Sequence, residues 1–106
     1  MSETDIPLTE TVFYLLLVLQ KPRHGYGIIQ EVESLTDGRV VLGAGTLYGA
    51  LKTLSGKKWI RPLGSPQGPR GRKEYEITGE GRAVLHRETD RLRQALRNAE
   101  NMGDGK

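Results

Sequence analysis

The chain contains no cysteine. That excludes a disulfide scaffold, a thiolate zinc site and a cysteine nucleophile together. Histidine is nearly as scarce: His24 and His86 are the only two, far apart and without metal-ligand spacing. Long apolar runs are also missing. The longest, Val12 to Leu19, has eight residues, well short of the ~20 that a bilayer span needs, and no signal-peptide pattern precedes it. No Ser/His/Asp arrangement, pair of inward carboxylates or phosphate-cradling loop is visible. Gly43-Ala44-Gly45 stands before a helical pattern but lacks the lysine spacing of a P-loop. The expectation is a cytoplasmic protein that is not an enzyme, with no metal, no cofactor and no membrane partner. Its 106 residues allow one domain of ordinary size.

Acid is the most informative absence. Residues 38–73 hold Arg39, Lys52, Lys57, Lys58, Arg61, Arg70, Arg72 and Lys73 and no Asp or Glu, a charge of +8. Residues 1–37 carry two basic and six acidic side chains, and residues 74–106 carry six and seven, so the flanks stand at −4 and −1. A basic stretch of this length in a small domain reads as the footprint of a polyanion, or else as a surface whose counter-charges come from elsewhere in the fold.

Apolar spacing orders the rest. Thr9 to Leu19 is apolar on nearly every side and leucine-rich, which favours a helix at the centre of the core, stopped by Pro22 and Gly25. Ile28, Ile29, Val32 and Leu35 mark an amphipathic second helix ending near Asp37-Gly38, and Arg39 to Leu42 is a short β-prone run. Leu47, Ala50, Leu51 and Leu54 give one face of a third helix, for which Thr46 is the expected N-cap. Trp59 to Leu63 and Glu74 to Ile77 read as strands around a Gly/Pro-rich basic tip, with Pro62 demoting the first to an edge. Thr78 caps a last helix from about Glu80 to Asn98, followed by a frayed tail. In that helix Leu85, Leu92, Leu96 and Ala99 recur at seam-like spacing. The fold class is thus mostly α with a small β-hairpin. A winged helix-turn-helix occupies residues 1–78, and a C-terminal dimerisation helix with its tail occupies residues 79–106.

In this order the third helix suits a major groove about 12 Å wide. Gly45, Thr46 and Gly49 allow close approach, Tyr48 and Thr53 can bond phosphates or base edges, and Lys52 neutralises a phosphate; the alternative for Tyr48 is an aromatic packed at the contact between the second and third helices. Arg70, Arg72 and Lys73 of the wing grip the backbone or the minor groove beside it. His24 bonds the backbone at the start of the second helix, Tyr26 belongs to the core, and Trp59 packs under the wing, with contact to a flat apolar ligand as its alternative. The arginines of the last helix form a solvated face paired with Glu88 and Asp90.

Three blocks together, His24-Gly25-Tyr26-Gly27-Ile28-Ile29, Gly45-Thr46-Leu47-Tyr48-Gly49-Ala50-Leu51 and Arg72-Lys73-Glu74-Tyr75-Glu76-Ile77-Thr78, resemble the PadR family of bacterial winged-helix transcriptional regulators. The resemblance runs from about Leu8 to Leu96. It implies a sequence-specific regulator of double-stranded DNA, more often a repressor, acting as a homodimer on a roughly palindromic operator. The last helix would pack against the partner protomer through Leu85, Leu92, Leu96 and Ala99. Some members take small apolar or aromatic effectors at the dimer interface. The last helix here has no aromatic residue to stack on one, so no effector pocket is assigned. Two departures stand out: Gly49 replaces a long basic residue, and Lys57-Lys58-Trp59 replaces an acidic stretch followed by Gly-Leu. The competing reading is a winged-helix module that binds an acidic protein.

Overall fold

The computed structural model describes residues 5–63 and 73–103. Four helices and three short strands follow one another: α1 (Glu10–Val18), β1 (Arg23–His24), α2 (Gly25–Leu35), α3 (Ala44–Gly56), β2 (Ile60–Leu63), β3 (Glu74–Ile77) and α4 (Gly79–Gly103).

Each helix starts where the local chemistry can satisfy its first amides. The Thr9 hydroxyl accepts from the Val12 amide at 3.2 Å and opens α1. His24 opens α2, its Nδ1 accepting from the Gly27 amide at 3.4 Å. Thr36 closes α2: its hydroxyl donates to the Val32 carbonyl at 2.9 Å and accepts from the Val40 amide at 3.0 Å. Residues 39–42 form no strand; that tie and the burial of Leu42 hold them as a connecting segment, correcting the β-prone reading. The N-cap of α3 is Gly43, without a side-chain bond, so Thr46 lies inside the first turn and does not cap it.

The sheet is antiparallel in the order β1-β3-β2. Ile60 faces Ile77 and Pro62 faces Tyr75, which puts proline on an edge strand, where a missing amide costs no ladder bond. β1 is an addition to the expected hairpin. Its two residues pair with Tyr75 and Glu74, a length with no periodicity to read.

Leu15, Leu16, Leu19, Ile28, Val32, Leu47, Leu51, Leu54 and Ile60 are almost wholly buried and fill the space between α1, α2, α3 and the sheet. Each such side chain contributes roughly 1.5–3 kcal/mol on burial. Trp59, the residue before β2, is buried in the same core. α1 is not buried all round: Val12, Phe13, Tyr14 and Leu17 are half-buried. Tyr26 is 64% exposed rather than a core residue.

α4 docks by its first turns. Thr78 caps it, accepting from the Gly81 amide at 3.0 Å and donating to the Lys58 carbonyl at 2.7 Å. A methyl group at Gly81 would overlap the Trp59 carbonyl oxygen, so only glycine lets the helix sit this close to the end of β2. Gly81, Val84, Leu85 and Glu88 are buried, and residues 79–88 therefore share the core with the winged helix. The helix continues to Gly103, past the expected frayed end.

Glu88 departs from the expected solvated face. It is 2% exposed, accepts the Leu8 amide at 3.0 Å and binds Arg91 through two bonds of 2.7 and 2.8 Å. The Arg91 guanidinium holds its carboxyl below the usual carboxylate range against the opposing effect of burial, with help from the Leu8 amide.

Candidate nucleic-acid interface

α3 divides cleanly. Leu47, Leu51 and Leu54 point inward, while Gly45, Thr46, Tyr48, Gly49, Lys52 and Thr53 are all exposed. At 100° per residue the six exposed positions span about 160° of arc, one continuous face. Side chains built at Gly45 and Gly49 would meet nothing within 4 Å, so the helix backbone is open to an approaching surface there. No side chain caps α3 and its first turn holds no acid. The positive end of its dipole is left uncompensated.

The charge around this face is smaller than the sequence count. Arg39 pairs with Glu10 at 2.6 Å, Lys57 with Asp5 at 3.6 Å, and Arg61 with Glu76 across the β2–β3 ladder. The Arg39 guanidinium draws the Glu10 carboxyl below its ordinary value. Lys57 also lies 5.1 Å over the Trp59 ring. Three of the eight cations are thus answered by acids from the flanking segments, the second of the two readings that the charge pattern allowed. Lys52, Lys58 and Lys73 are exposed and have no ion pair among the described residues. Lys73 stands at the foot of β3, while Arg70 and Arg72 lie outside the described residues. No signal within the basic stretch itself could have identified the three paired cations, because their partners come from distant segments.

The expected seam on α4 splits in two. Leu85 is 7% exposed and packs in the core, whereas Leu92 and Leu96 are 39% and 58% exposed and Ala99 is exposed. Leu92 shares a cleft of about 250 Å³ with Leu8, Phe13, Tyr14 and Arg91. Phe13 and Tyr14 meet edge to face there, with centroids 5.3 Å apart. The aromatic wall of this cleft comes from α1, which reading the last helix alone missed.

Two helices joined by a turn, the second carrying an open face, followed by a β2–β3 hairpin, define the winged helix-turn-helix class. The family model described as the transcriptional regulator PadR-like family matches residues 15–87. A PadR family transcription regulator of Clostridium difficile superimposes with a TM-score of 0.68 at 27% identity, over 85% of this chain and 95% of that one. A PadR family regulator of Eggerthella lenta shares the fold at a TM-score of 0.75 and 24% identity, over 91% and 83%. Among sequences, a protein of Lysinibacillus sphaericus is 36% identical over 72 residues, which is 67% of this chain and 66% of that protein. A 37.1 kDa protein in transposon Tn4556 of Streptomyces fradiae is 41% identical over 68 residues, 63% of this chain but 18% of that protein.

The chain belongs to the PadR-like family of transcriptional regulators. Members of that family are regulators and not enzymes. No helix among the described residues is long and apolar enough to cross a membrane.

Proposed function

We propose that the protein is a sequence-specific regulator of double-stranded DNA, working in the cytoplasm as a homodimeric repressor on a palindromic operator. The observation that carries this reading is the continuous acid-free face of α3, with open backbone at Gly45 and Gly49 and an uncapped N-terminus. That face enters the major groove: Thr46, Tyr48 and Thr53 supply bonds, and Lys52 takes a phosphate. Lys73, with Arg70 and Arg72, grips the backbone alongside.

The dimer is argued from the uncovered seam. Leu92, Leu96 and Ala99 continue the line of Leu85 outward, and a second copy of α4 would cover them. A small apolar effector would find its walls in the cleft of Leu92, Phe13 and Tyr14.

Selection of bound sequences from a random duplex pool tests the reading. The expected product is an inverted repeat with half-site centres about one turn apart, ~34 Å. Recovery of no enriched sequence, together with undiminished duplex binding by an R72A/K73A variant, would instead favour an acidic protein partner.

A further inference from the structure

Gly25 opens α2 and is buried, and Tyr48, on the second turn of α3, is half exposed. A methyl group built at Gly25 would overlap the Tyr48 hydroxyl, stand 3.0 Å from its Cζ and meet Leu47 Cδ2 at 3.4 Å. The phenol therefore rests its tip on the bare backbone of Gly25, at the junction of the two helices. One side of the ring is held by the protein and the remainder faces outward. The hydroxyl bonds to no described residue, so among the described residues packing, and not a hydrogen bond, sets where the ring stands.

We propose that Gly25 is a positioning residue for DNA binding: it presents no side chain to the duplex but seats the Tyr48 ring in the orientation in which α3 offers it. This rests on the DNA-binding reading above. A side chain already held in its bound orientation gives up less rotamer freedom on contact, so the seat raises affinity without adding a contact. The seat also explains why glycine suits this helix start. At Gly81 the obstructing atom is backbone, whereas at Gly25 it is the far end of a side chain that can swing away. Gly25→Ala is therefore expected to keep the fold and displace the ring.

The probe is the inverted-repeat duplex recovered from the random pool. In the wild-type chain, a nuclear Overhauser cross-peak between the Gly25 Hα protons and the Tyr48 ring is expected, both free and with duplex bound. G25A should weaken duplex binding by about tenfold, the scale of one lost interface contact. Y48A should lose at least as much, and adding G25A to Y48A should change affinity by less than about twofold, since the two act through one ring. Equal penalties from G25A with and without the ring, an affinity of G25A within about twofold of wild type, or absence of the cross-peak overturns the proposal. Should G25A fail to fold, the cross-peak in the complex and the Y48A loss must both be present, and lack of either overturns it. If the wild-type chain binds no duplex, the DNA-binding reading falls and the positioning role with it, while the cross-peak still reports the seating.

Discussion

Lys58 holds a backbone φ of +66° one residue beyond the cap of α3, a position where glycine avoids the clash of Cβ with the following carbonyl. The Thr78 hydroxyl, bonded to the Lys58 carbonyl, helps hold that conformation. K58G is expected to raise stability by about 1 kcal/mol, read as a higher urea midpoint at unchanged slope; a lower midpoint contradicts the account. Glu88 gives a second prediction at this scale. Its carboxyl titrates below the ordinary range because Arg91 favours the charged form. The pair's contribution is therefore complete above the ordinary carboxylate pKa and is lost as pH falls through the lower folded value. E88Q keeps an acceptor for the Leu8 amide but loses the charge, and it should cost about 1–2 kcal/mol at neutral pH. The gap between E88Q and wild type should close as the pH is lowered in urea titrations; a gap that widens on acidification would contradict this. Sequence reasoning reached His24, whose place before a helix gave the imidazole one natural partner. It gave Glu88 an arginine partner, which Arg91 supplies, but missed its burial, because that depends on the Leu8 segment, eighty residues away, folding across α4.

Among the elements, α3 was the most legible. Its Leu47, Leu51 and Leu54 spacing fixes which side faces the core, and the complementary face follows by elimination. β1 was not, since two residues acquire strand geometry only by pairing with Tyr75 and Glu74. The start of α3 was also misplaced: an available threonine at position 46 drew the boundary inward, whereas Gly43 starts the helix without a side-chain cap. α4 mixes two roles that one heptad pattern cannot separate. Its residues up to Glu88 complete the core, and those from Leu92 onward expose an apolar line. L96D tests the second role without touching the first, because Leu96 is 58% exposed in the protomer. Placing a carboxylate in an apolar seam costs several kcal/mol, so the dissociation constant of the proposed dimer should rise at least ~100-fold with folding intact. Sedimentation equilibrium reads this directly; an unchanged dimer would show that the seam lies elsewhere.

For the whole molecule, the partition of charge matters more than its sum. Acids of the N-terminal segment and of β3 neutralise Arg39, Lys57 and Arg61, and within the basic stretch the cations without an ion pair among the described residues are Lys52 on α3, Lys58 just beyond its end and Lys73 at the root of the hairpin. Together with Arg70 and Arg72 they would leave a smaller and more focused set of phosphate contacts than eight like charges suggest. The most direct test is titration of the operator duplex at a series of salt concentrations. If the proposed dimer neutralises about six phosphates or more, log affinity should fall linearly with log salt, losing ~10³ or more between 50 and 200 mM. An affinity that stays level across that range would contradict the claim that this face binds a nucleic-acid backbone.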